Sequence, residues 1–138
     1  MKRASVLLAL IVAVATTGGM IGIKVLNAQD QPVKRTVLQK TDLVGVEGME
    51  VVIFQAEIAP GAESGKHFHP GPEYFYMLEG SMIVEPEGHE RVTLTKGQTG
   101  HNPAKHVHNV KNASTSEPAK ALGFLIAEKG QPLATPVK

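Results

Sequence analysis

From Met49 onward the chain breaks into short apolar runs separated by turns rich in glycine and proline, and this pattern constrains the fold most. The runs are "MEVVIFQAEI" (49–58), "KHFH", "EYFYML", "SMIVE", "RVTLT", "HVHNV" and "AKALGFLIAE". Between them lie "APGAESG", "PGP", "EG", "PEGHE", "KGQTG" and "NASTSEP". The first run is β-branched and carries a single charge near each end, as a mostly buried strand should. Short strands with this punctuation predict an all-β sandwich or barrel. At 138 residues there is room for one such domain and not comfortably for two. Cysteine is absent, which excludes disulfides, thiolate metal sites and cysteine nucleophiles. Any metal site must therefore be built from histidine and carboxylate.

The N-terminus has a different character. "MKR" is followed by uncharged sequence from Ala4 to Ile23, with the apolar core "ASVLLALIVAVA" and a cleavage-like Ala13-Val14-Ala15. A second possible cut follows Ala28. This reads as a secretory signal peptide; the competing reading is a retained membrane anchor, weakened by Thr16-Thr17-Gly18-Gly19. Residues 1–28 are accordingly set apart as signal peptide or anchor, and the expected location is exported, in the periplasm or tethered to the membrane facing it. The polar stretch 29–35 leads into a domain expected at 36–130, and the proline-bearing tail 131–138 is expected on the surface. The 14 Lys and Arg against 13 Asp and Glu create no field that would draw nucleic acid, and none is expected as a partner.

The chemistry concentrates in "GKHFHPGPEYFYMLEG", residues 65–80, which holds four of the six aromatic residues. If 66–69 is a strand, alternation places His67 and His69 on one face and Phe68 on the other. After the "PGP" turn, Glu73 shares a face with Phe75 and Met77, while Tyr74, Tyr76 and Leu78 take the opposite face. Two imidazoles and a carboxylate converging on one point suit an open first-row metal site. A second His-x-His, in "PAKHVHNV", offers a further ligand from His106 or His108, both expected on one strand face. A lone His-x-His is a weak motif; two of them with Glu73 are a stronger signal.

These residues resemble the two motifs of the cupin superfamily. The first, G-x5-H-x-H-x3,4-E-x6-G, is met at Gly61, His67, His69, Glu73 and Gly80. The second, G-x5-P-x-G-x2-H-x3-N, is met at Gly97, Pro103, His108 and Asn112, with Lys105 in place of its middle glycine. That departure suggests a different local turn, because lysine tolerates positive φ poorly. The resemblance spans most of 36–127 and implies an all-β jelly-roll barrel. It also implies one divalent metal ion per chain, deep in the barrel and held by His67, His69, Glu73 and His108. The motif glycines Gly61, Gly80 and Gly97 would serve turns.

Other residues take roles around that centre. His106 lies outside the family's ligand positions and is the candidate catalytic residue, a proton shuttle near the open coordination positions. Phe75 and Met77 line the pocket or pack the core, and core packing is the simpler role. Tyr74 and Tyr76 face away, into a second sheet or a homodimer contact. His89 belongs to a solvated turn and His101 to a rim or loop. The ligand types do not distinguish Fe, Mn, Ni, Cu or Zn. Two functions stay open: a metal-dependent, oxygenase-type (dioxygenase-like) enzyme acting on a small molecule, and a noncatalytic periplasmic binder of a metal or small ligand. The fold alone does not choose between them.

Overall fold

The computed structural model describes residues 32–138, so the expected signal or anchor segment lies outside the described residues. Among these residues there are ten strands and no helix: β1 (Val33–Asp42), β2 (Met49–Ile58), β3 (His67–Phe68), β4 (Glu73–Glu79), β5 (Ser81–Pro86), β6 (Val92–Thr95), β7 (Thr99–Asn102), β8 (His108–Asn112), β9 (Ala119–Glu128) and β10 (Thr135–Pro136). They form two five-stranded sheets, ordered β1-β2-β9-β4-β7 and β10-β3-β8-β5-β6. Every pairing is antiparallel. The result is the jelly roll that the family resemblance implies.

Alternation sets the core. In β4, Glu73, Phe75 and Met77 are buried while Tyr74 and Tyr76 are exposed, as expected. In β9, Ala119, Ala121, Leu125 and Ala127 turn inward. The buried apolar residues fall into two clusters, one around Ile58, Phe75, Met77, Met82 and Val84, the other around Val52, Phe54 and Leu125. Buried with them are polar residues that an apolar core would reject unless they were satisfied: His67, His69, Glu73, Asn102, His108 and Asn112.

Four details differ from the sequence reading. The lead-in belongs to a ten-residue strand, β1, whose mostly exposed pattern hides it from a hydrophobic count. "KGQTG" is not only a turn, since its last two residues open β7 on the edge of the first sheet. The tail returns to pair Thr135 with Phe68 and Pro136 with His67. Finally, Lys105 does not change the turn: it adopts the left-handed conformation itself, with φ 59°. The motif glycines Gly61, Gly80 and Gly97 all have positive φ, as turn positions should. The "PGP" turn carries the chain from the second sheet to the first. Gly71 passes so close to the backbone carbonyl of Ile126 that a Cβ would overlap it.

Candidate metal centre

The two sheets deliver the candidate ligands to one interior point. β3 supplies His67, the residue just past β3 is His69, β4 supplies Glu73, and β8 supplies His108 directly opposite His67 in register. The ligating atoms of His67, His69 and His108 all lie within 4.8 Å of one another, and all three residues are buried. Two nitrogens sharing an ion at about 2.0–2.1 Å lie at most roughly 4.2 Å apart, so only a small contraction closes the cage.

Each ring is oriented by a backbone carbonyl. Nδ1 of His67 meets Gly65 O at 2.9 Å, Nδ1 of His69 meets Leu133 O at 2.6 Å, and Nδ1 of His108 meets His106 O at 3.0 Å. A carbonyl only accepts, so each Nδ1 carries a proton, and in the neutral form of each ring the lone pair is at Nε2. Such a partner on the far nitrogen is the usual companion of a metal-ligating histidine. Nε2 of His108 is buried with no hydrogen-bond partner among the described residues, an unmet acceptor that a cation would satisfy.

Glu73 stands beside this group rather than inside it. Its Oε2 lies 3.0 Å from Nε2 of His69 and accepts from Asn102 Nδ2 at 2.6 Å. With Nδ1–H of His69 committed to Leu133, a neutral ring would set a lone pair against the carboxylate oxygen. A cation shared by the two atoms removes that repulsion, so the donor set fits a metal ion on chemical grounds.

Burial tunes these groups. It pushes His67 down to about 4, against the opposing bond to Gly65, with His108, His69 and Arg35 adding to the depression. It also lowers His108, opposed by the His106 carbonyl. For Glu73, burial alone would raise the carboxyl, but the hydrogen bond and charge of His69 and the amide of Asn102 outweigh it and hold the group below the ordinary range. A metal ion bound here would take the place of the proton through which Nε2 of His69 donates to Glu73.

The cavity at the centre measures about 50 Å³ and includes Arg35, Ser64, Phe75, Met82 and Asn102 in its lining. Phe75 thus joins the cavity wall as well as the core, while Met77 is fully buried in the core. His106 is placed elsewhere. It precedes β8 instead of lying on it, so it does not share a strand face with His108. With His89 and His101 it lines a separate pocket of about 430 Å³, its ring 5.3 Å from that of His89. Phe75 and Asn102 line both spaces and form the wall between them.

Two supporting residues take their roles from the structure. Asn102 matters because the register pairs it with Glu73, a non-local fact. Asn112, the last residue of the second motif, reaches the carbonyls of Ile58, Ala59 and Glu117 at 3.1, 3.2 and 2.8 Å and pins the loops below the site.

Comparison with known proteins agrees with this geometry. The family described as Cupin domain matches residues 54–125. The chain is 38% identical over 82 residues to the beta-alanine degradation protein BauB of Pseudomonas aeruginosa, a stretch covering 57% of this chain and 85% of that protein. It is 32% identical over 97 residues to the tetracenomycin polyketide synthase protein TcmJ of Streptomyces glaucescens, covering 59% of this chain and 63% of that one. Among solved structures, the DMSP lyase DddQ from Ruegeria pomeroyi aligns with TM-score 0.62 at 19% identity, covering 81% of this chain and 55% of that one, a likeness of fold. A cupin-like protein from Thermotoga maritima aligns with TM-score 0.58 at 26% identity, covering 76% of this chain and 75% of that one.

Proposed function

Starting from the fact that this chain belongs to the cupin family, we propose that it is an exported metalloprotein that binds one divalent ion through His67, His69, Glu73 and His108 and acts on a small molecule. The observation that carries the metal reading is the unpartnered, buried Nε2 of His108 beside two rings held in the same tautomer. When bound, a first-row ion supplies Lewis-acid polarisation and, if redox-active, a one-electron couple. The chain's part is to aim three imidazoles through their Nδ1–carbonyl bonds, to hold Glu73 ionised through Asn102, and to exclude water with Phe75, Met82 and Val110. Three imidazoles and one carboxylate leave coordination positions open, which supports an oxygenase-type reaction. For His106 we propose proton exchange with the part of a substrate that occupies the outer pocket, since its ring lines that space.

A noncatalytic binder is the second reading. It is favoured by one observation: apart from His67, His69 and Glu73, no carboxylate or imidazole among the described residues lines the inner cavity. We further propose export through residues 1–28 and a homodimer through the outer face of the first sheet, where Tyr74 and Tyr76 are exposed.

Elemental analysis of protein purified from its producing cell tests the metal reading. About one metal per chain is expected, and no uptake of any first-row ion by the metal-free protein would end it. Substrate screening with and without oxygen then separates enzyme from binder. Mass spectrometry of the same material tests export, which intact Met1 in a soluble cytoplasmic fraction would contradict.

A further inference from the structure

Arg35 is a charged side chain of the inner cavity to which the proposed metal chemistry gives no task. It sits in β1, where Val33 and Arg35 are half-buried while Lys34 and Thr36 are exposed, so alternation turns it inward. The register sets it opposite Ala56, and Ala56 opposite Ala121. These small side chains leave width for the arginine to lie across the sheet. It lines the cavity together with His67, His69 and Glu73.

The other described cations without an ion pair, Lys34, Arg91, Lys96, Lys105 and Lys138, are exposed, whereas Arg35 lines the inner cavity. Lys40 has Glu50, Lys66 has Glu87, Lys111 has Glu85, Lys120 has Glu79 and Lys129 has Asp42. Those partnered lysines reach solvent; the more enclosed Arg35 makes no ion pair or side-chain hydrogen bond among the described residues. Desolvation lowers its pKa, and the opposing influence is only the charge of Glu73. That carboxylate is already engaged by Asn102 and His69. A guanidinium has five donors in a planar fork, and drawing it from water without a partner is costly. Its natural complement is a carboxylate, taken up by two parallel hydrogen bonds.

We propose that Arg35 is a carboxylate anchor, and that the inner cavity takes a small aliphatic carboxylic acid whose carboxylate meets the guanidinium and whose other end faces the histidines. The cavity of about 50 Å³ restricts the enclosed ligand to a few heavy atoms, and Val33, Ile58 and Met82 supply apolar contact for a short chain. The placement of the far end rests on the metal reading above; the anchoring by Arg35 does not.

The test uses the full chain, propionate as probe and its uncharged analogue propanamide as control. In calorimetric titration of zinc-loaded protein, propionate should bind at least about tenfold more tightly than propanamide. Arg35→Gln should lose that preference while its zinc affinity stays within about threefold of the wild type. Arg35→Lys, which keeps the charge and loses the fork, should fall between the two and serves if the glutamine variant does not fold. Propionate binding unchanged in Arg35→Gln would overturn the proposal. So would loss of zinc in that variant, which would make Arg35 a support for Glu73. If the wild type takes up no zinc, the metal reading has failed, and the metal-free chain decides on Arg35 alone. A rise in melting temperature with propionate that disappears in Arg35→Gln upholds the anchor, and no rise in the wild type refutes it.

Discussion

Six histidines divide into two groups of three with opposite fates. His67, His69 and His108 are buried, with Nδ1 of each bonded to a carbonyl. His89, His101 and His106 line the outer pocket, where His89 and His101 are exposed, and no side-chain hydrogen bond holds their rings among the described residues. Residue type and even spacing are shared, for His-x-His occurs in both places. The first pair enters the cage whole, and the second is split by the start of β8, which leaves His106 in the turn and His108 inside. The difference teaches that a ligand is made by its surroundings: a backbone segment that aims it, a carbonyl that fixes its tautomer and, for His67 and His108, burial that disfavours the charged ring.

The largest expected effect comes from exchanging members of the two groups. Disturbing the partners of ligands alone typically costs 10–100-fold in metal affinity, so His108→Ala should cost at least about 100-fold. His106→Ala should stay within about threefold, because the carbonyl that holds His108 belongs to the backbone and survives the change. Competition with a chromogenic chelator reads both. Equal losses would erase the division between the groups.

Next in size is Asn102→Ala, which removes the amide that donates to Glu73 across the wall between the two pockets. A loss of about 10–100-fold in zinc affinity is expected, against no measurable change for the neighbouring His101→Ala, whose ring stacks on Tyr74 outside. A normal affinity in Asn102→Ala would show that Glu73 needs no help to face the site.

These contrasts also mark how far the sequence could be read. The inner ligands were visible because their spacing is local: His67, His69 and Glu73 lie within seven residues, and the second motif brings His108. Asn102 and Arg35 were not visible, because their importance arises from pairing between distant strands, Glu73 with Asn102 and Arg35 with Ala56. β1 hid for a related reason. As an edge strand it exposes Val37 and Leu38 and mixes charged residues with few buried apolar ones. The tail looked like surface, yet the Leu133 carbonyl orients His69. The split of the second His-x-His was hidden because alternation assumes a strand, and the strand begins two residues later than the pattern suggests.

Acid should separate the groups in metal-free protein. His67 is held down to about 4 and His108 is lowered too, in both cases chiefly by burial. Below an unfolded value of about 6.5 the unfolded chain therefore takes up protons that the folded chain refuses. Stability should be complete above that value, fall as the pH drops towards 4, and level off once His67 protonates in the fold. Urea unfolding in EDTA at several pH values measures this. His67→Gln should flatten part of the slope, while His89→Gln should leave it intact. A slope that ignores His67 would mean that the inner rings are already charged near neutrality.

The smallest effect concerns the turn that parts His106 from His108. Lys105 is the sole non-glycine residue with positive φ among those described, and it is exposed with no ion pair. The left-handed region costs an L-residue about 1–2 kcal/mol. Glycine would relieve that strain but lose about 0.5–1 kcal/mol through the greater freedom of its unfolded chain. Lys105→Gly should therefore raise stability by no more than about 1.5 kcal/mol. It should leave zinc affinity unchanged, because the backbone N–H that donates to the His69 carbonyl at 2.8 Å is retained. Lys105→Val should act in the opposite sense, since a β-branched residue fits positive φ worse than lysine does. Chemical denaturation of the three proteins checks the order. If glycine destabilises the fold, the lysine side chain contributes more to this turn than its backbone strain removes, and the boundary between the two histidine groups is held by a contact instead of by conformation.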